Sequence, residues 1–144
     1  MKNLILFLIL LSSFNLFSQE NKELEEMNEA LKLLNDIRSL NILKPLKLNP
    51  RLNELAEQRA IKLAENGGVY KQSTDHTGES YFWGKNPKRD YNYYNVILGL
   101  SLNIPGAKDH TIKQMNCKTC TSVGFGKAKS GIKHYSFVVY DSLR

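Results

Sequence analysis

The sequence predicts an α+β domain in which helices pack on an antiparallel sheet. Two observations carry this: apolar residues recur at helical spacing through the first half of the chain, and two strand-like runs separated by a turn close it. Over residues 21–40, Leu24, Met27, Leu31, Leu34 and Ile37 follow one another at i+3 and i+4, with Glu23, Glu25, Glu26, Lys32 and Asp36 between them. That spacing predicts an amphipathic helix. Pro45 stops its continuation, and Leu46-Lys47-Leu48 reads as a short extended approach to a second helix. Asn49 suits the cap of that helix and Pro50 its first position, and Gly67-Gly68 end it. Leu52, Leu55, Ala56, Ala60, Leu63 and Ala64 form its buried stripe, where the small Ala56 and Ala60 permit close approach of another element.

The C-terminal third changes period. Residues 123–128 and 133–140 read as strands joined through Lys129-Ser130-Gly131-Ile132, a hairpin. In the second run Tyr135, Phe137 and Val139 point one way, and His134, Ser136, Val138 and Tyr140 the other. Its polar start and apolar end predict burial on both faces towards the C-terminus. Between the helices and the hairpin, residues 78–82 are a candidate strand and residues 91–98 a candidate short helix in an otherwise loop-rich stretch.

Organisation and destination follow from the first residues. Lys2 precedes residues 4–11, an apolar run with no charged or amide side chain, and the first acidic residue is Glu20. This pattern predicts a cleavable export signal over residues 1–19, cut near Ser18 or Gln19, and one domain over residues 20–144. The run falls short of the ~20 residues needed to cross a bilayer, and Asn15 interrupts the stretch beyond it. The expected location is therefore secreted or periplasmic/extracellular, with no integral membrane segment after cleavage. The formal charge of +6 becomes +5 without Lys2, which favours anionic surfaces. Nucleic acid is a poor partner for an exported protein whose basic residues are scattered. Cys117 and Cys120 are the only cysteines, so packing must hold the core. A redox C-x-x-C wants a strand-to-helix context and a four-ligand zinc site wants a second ligand pair. Neither is present, which leaves a local disulfide or two free thiols.

The order of motifs resembles the CAP superfamily, or SCP domain, of cysteine-rich secretory proteins, antigen 5 and pathogenesis-related proteins. Asn35 and Arg38 near the end of the first helix carry the likeness, followed by Pro45-Leu46-Lys47-Leu48-Asn49-Pro50, Leu52, Ala56 and Ala60. Gly78-Glu79-Ser80 resembles the family's Gly-Glu-Asn, Asp109-His110 its Gly-His, and Val123-Gly124-Phe125-Gly126 its Val-Gly-Cys/Phe-Gly. The resemblance implies an α-β-α sandwich of the CAP type and a cavity with two His and two Glu that can bind a divalent metal such as zinc. Carried over, Glu79 matches the first acidic position and His110 the later histidine. The first histidine falls where this chain has Lys71-Gln72-Ser73, with His76 nearby, and residues 90–110 hold no Glu. Gln114 keeps the family's distance to Val123, with His110 displaced by one residue.

His76, Glu79, His110 and Gln114 are thus the cavity candidates, His76 and His110 the candidate metal ligands, and no catalytic residue is assigned. Two imidazoles and a carboxylate could hold zinc with a water in the fourth position. The alternative is that both histidines are ordinary loop residues and Glu79 caps a turn. His134 reads as a strand-edge residue. Tyr81, Phe82, Trp83, Tyr91, Tyr93 and Tyr94 alternate with Lys85, Lys88 and Arg89, a pattern suited to sugar or lipid headgroups. The competing expectation is that these rings fill the core, above all Phe82 and Tyr94, while Trp83 and Tyr91 stay open. Three functions remain: a binding module for a lipid, sterol or cell-envelope component, a metal-dependent hydrolase or peptidase with Glu79 as general base, or a structural envelope protein.

Overall fold

Backbone capping sets the helix ends. The computed structural model describes residues 2–69, 78–84, 92–101 and 115–141, without the side chains of residues 2–20, 82 and 83. Helix α1 (Lys2–Leu40) extends the helix expected over 21–40 back to Lys2. After β1 (Lys47–Leu48), α2 (Pro50–Glu65) starts on Asn49, whose side chain accepts from the Arg51 N–H. Its end is a Schellman turn: Gly68 N–H donates to the Leu63 carbonyl and Gly67 N–H to Ala64, with Gly67 at φ 64°. The same turn closes α1, where Leu43 N–H donates to Arg38 and Ile42 N–H to Ser39. There the left-handed position holds Ile42, at φ 57°, the non-glycine residue with positive φ among the described residues.

The rest of the chain supplies β2 (Gly78–Gly84), α3 (Tyr93–Ser101), β3 (Ser122–Ser130) and β4 (Lys133–Tyr140). The sheet order is β1-β3-β4-β2. β4 pairs antiparallel with both β2 and β3, as the hairpin pattern demands. β1 pairs parallel with β3, Lys47 opposite Ser122, so the sheet is mixed rather than wholly antiparallel. Two hydrogen-bonding side chains fix that edge. Asn35 donates to the Leu46 carbonyl at 3.0 Å and accepts from the Leu46 N–H at 2.8 Å. Asp141 accepts from the backbone N–H groups of Thr121 and Ser122 at 2.8 and 2.7 Å and from the Thr121 hydroxyl at 2.6 Å.

The sheet is covered on both sides, giving the sandwich that the resemblance implied. Ala30 and Leu34 of α1, Tyr93, Val96 and Ile97 of α3, and Val123, Phe125, Val138 and Tyr140 make one core layer. Leu52, Ala56, Ala60, Leu63 and Ala64 of α2 pack on Tyr135, Phe137 and Val139 to make the other. β4 is buried on both faces from Tyr135 onwards, which explains its apolar end. The α2 layer has an unusual closeness. A Cβ at Gly124 would overlap the backbone of Leu52 and Asn53, and one at Gly126 the backbone of Ala56 and Glu57. Ala56 and Ala60 are fully buried, as expected of the small positions in the stripe.

This contact sets two expectations for stability. Gly126→Ala should cost about 3 kcal/mol or more, because α2 must lift bodily, whereas Ala60→Leu should cost about 1 to 3 kcal/mol through overpacking. Urea titrations of both variants measure this, and an unchanged midpoint for Gly126→Ala would contradict the close approach. At the other helix end, Ile42→Gly should stabilise by about 1 kcal/mol, since the left-handed conformation strains a branched side chain and not a glycine. A thermal melt reads the gain directly.

Candidate functional site

Strand alternation turns Glu79 towards α2, since it pairs with Val139, a member of the α2-facing layer. On α2 the stripe that buries Ala56, Ala60 and Leu63 also carries Arg59 inward. The two meet: Arg59 Nη1 donates to Glu79 Oε2 at 2.6 Å, and each side chain is only 7 % exposed. A pair this dry is stable while both partners remain, because removing one strands a buried charge. Glu79 is therefore a strand residue held by a guanidinium rather than the cap of a turn.

This geometry bears on metal binding. Arg59 engages Glu79 Oε2 at 2.6 Å, so a divalent ion on this carboxylate would sit close to a buried guanidinium, whose charge opposes it. His76, His110 and Gln114 lie outside the described residues, as do Lys85, Lys88, Arg89 and Tyr91. Among the described residues no group of three or more His, Cys, Asp or Glu could hold a metal ion. His134 sits on β4 opposite Lys129 and Gly84, and burial, aided by the Lys129 charge, lowers its pKa below the usual imidazole value. Flanked by β2 and β3, His134 lies at the start of a central strand rather than on an edge of the sheet.

The aromatic run sorts differently from expectation. Tyr93 is 1 % exposed and Tyr94 39 % exposed, so the buried ring of this pair is Tyr93 rather than Tyr94. The reason is the helical phase of α3, which puts Tyr93, Val96, Ile97 and Leu100 on one face. The Tyr93 hydroxyl donates to Glu23 at 2.9 Å, and Lys127 lies 4.7 Å above its ring while reaching Glu26 at 2.6 Å. Burial, with Glu23 beside it, pushes the Tyr93 phenol above its ordinary range, so it remains a donor. Tyr81 is half exposed and stacks on Phe137 with centroids 5.5 Å apart.

Arg38 is the second buried cation. It is fully enclosed, and its guanidinium donates to the carbonyls of Lys44 at 2.9 Å, Met115 at 2.8 Å and Cys117 at 3.1 Å. One side chain thus joins the end of α1, the turn that follows and the segment holding Cys117. Cys117 and Cys120 are joined in a disulfide, which resolves the C-x-x-C as a local staple.

Against this geometry, a family model described as the cysteine-rich secretory protein family, CAP, matches residues 31–141. The chain belongs to the CAP family. Solved structures agree in fold: an outer surface protein from Borrelia burgdorferi superposes with a TM-score of 0.59 at 20 % identity, covering 81 % of this chain and 91 % of that one. Schistosoma mansoni venom allergen-like protein 4 gives 0.55 at 17 %, covering 81 % and 84 %. NaASP2, crystallised with Zn2+, gives 0.59 at 13 %, covering 79 % and 77 %. A comparison with curated proteins finds no match.

Within this CAP domain the residue that reading the sequence missed is Arg59. A signal for it existed: it lies three residues after Ala56 and four before Leu63, inside the buried stripe, where a charge demands a partner. Arg59→Met alone should destabilise the CAP domain by about 3 to 5 kcal/mol, and Arg59→Met with Glu79→Leu should recover most of the loss. Denaturation of the two single variants and the double variant measures the coupling. Additive losses would show that the pair is not one unit.

Proposed function

We propose that this CAP domain is an exported binding module for a lipid, sterol or cell-envelope component, and that it works without a catalytic metal. The buried Arg59–Glu79 pair supports this reading most directly. A hydrolase would use Glu79 as its base, and a base must take up a proton during the reaction. Protonating Glu79 would weaken the contact it makes with Arg59 at 2.6 Å in a site only 7 % exposed, which favours a scaffold role for the carboxylate. Export accords with the leader pattern over residues 1–19 and with membership of a family named for secreted proteins. Among the described residues no helix is long and apolar enough to cross a membrane. The outer surface protein of Borrelia burgdorferi, similar in fold, lends the surface location an analogy.

His76, His110 and Gln114 remain the cavity candidates beside Glu79. Zinc binding should be weak, and His110→Ala should lower it more than His76→Ala, because His110 comes within one residue of the family's later histidine, whereas His76 must substitute for a ligand expected further upstream. Without the second Glu an orienting acceptor is absent, which typically weakens metal affinity ~10 to 100-fold. Neutral imidazole is the binding form, so the affinity should fall as pH drops through ~6.5. The disulfide removes both thiols as competing ligands, so zinc calorimetry tests this cleanly.

The binding reading is tested on protein recovered from the culture medium, expected by mass spectrometry to begin near Gln19 or Glu20. A fluorescent sterol and a fluorescent fatty acid should titrate to saturation. Peptide or ester hydrolysis that vanishes in Glu79→Gln, with folding kept, would establish the hydrolase instead.

A further inference from the structure

The turn after α1 has a feature that the fold does not need. Ile42 occupies the left-handed position of a Schellman turn, at φ 57°, where α2 uses Gly67 for the same task. A branched side chain there is strained, and at 96 % exposure it recovers nothing by packing. Leu40, two residues earlier, is 84 % exposed. These apolar side chains stand at one tip of the sandwich, with exposed Lys44 and Lys47 following them in the chain. Exposed Lys118 joins from the disulfide segment, because Arg38 binds the carbonyls of both Lys44 and Cys117. Among the described residues, the carboxylates near this tip include Asp36, one turn back on α1, and Asp141, whose oxygens already accept from Thr121 and Ser122.

We infer that this tip is a docking point for an anionic membrane surface, separate from any ligand held in the family cavity. Two projecting side chains offer too little area for a stable protein interface, which needs about 1,000 Å² or more. They do suit shallow insertion at the boundary between headgroups and acyl chains, where each buried side chain gains by leaving water. Lysines around such an insertion are attracted to anionic headgroups and keep their own heads in water. The net positive charge of the chain acts in the same direction. A strained, exposed isoleucine is thus accounted for by the contact it makes outside the fold.

The test places an environment-sensitive dye on the exported chain, beginning near Gln19 and so free of the apolar run 4–11, through Ile42→Cys, the native cysteines being joined to each other. Ile61→Cys, on the outer side of α2, is labelled as the reference. Vesicles of phosphatidylcholine alone are compared with vesicles containing phosphatidylglycerol. The dye at position 42 should shift to the blue with the anionic vesicles, return on adding about 0.5 M salt, and leave the dye at position 61 unmoved. Lys44→Glu combined with Lys118→Glu should weaken the titration at least ~10-fold. An equal shift at both positions would mean adsorption through another part of the chain and would overturn the inference. So would an equal response to uncharged vesicles, or no shift at position 42, which would leave the tip to a protein partner.

Discussion

The approach of α2 to β3 is the constraint on which the rest of the structure depends. Helix backbone lies directly on strand backbone at Gly124 and Gly126, with Ala56 and Ala60 completing the small-residue contact. No side chain separates the layers there, so sideways or rotational slip of α2 would drive backbone atoms into one another. Asn53 adds a polar fix by accepting the Phe125 N–H at 3.0 Å. Once the helix is fixed in position and rotation, Arg59 has one direction to point. That direction leads across β4 to β2, where Glu79 waits. The ion pair is therefore a consequence of the glycine contact, and it joins the distant β2 edge to the helix that β3 positions.

Much of this was legible in the sequence, for identifiable reasons. Asn49-Pro50 and Gly67-Gly68 bound α2 because capping chemistry is local, and the alternation in residues 133–140 gave each side chain its correct face. Ala56 and Ala60 announced a close approach, but nothing local said that Gly124 and Gly126 would receive it. That pairing is a contact between elements some seventy residues apart in sequence. β1 escaped as a sheet strand because two residues carry no period, and it forms only through Ser122 and Val123. Tyr94, expected inside, is exposed and Tyr93 is the buried ring, a difference of one residue in helical phase. Arg59 does not show in a stripe defined by apolar residues, although its position there requires a buried partner.

The site was legible only as far as its residues are local. Resemblance singled out Glu79, Asn35 and Arg38, while the geometry gives each a physical task that the motif does not state. Glu79 neutralises a helix cation. Asn35 imitates a strand neighbour for Leu46, giving and taking one hydrogen bond as a paired backbone would. Arg38 is fully buried, and burial lowers its pKa from the usual guanidinium value, with Tyr140 and Asp141 opposing the shift. It still makes three charge-assisted hydrogen bonds to carbonyls.

These last two residues explain how a strained turn survives at the end of α1. A left-handed isoleucine persists only where its surroundings overdetermine the backbone. Arg38 provides that, since its own carbonyl accepts from Leu43 while its side chain holds the Lys44 carbonyl. The turn is bound from both ends by one residue. Asn35 then secures Leu46, three residues after Leu43, and the disulfide braces the segment that Arg38 grips on its other side. The sandwich thus has a stiff end built from polar side chains bonding backbone, and a helix face built from glycine and alanine. Strain can be held at the first because Arg38 and Asn35 bond its backbone directly, whereas the second fixes where Arg59 meets Glu79.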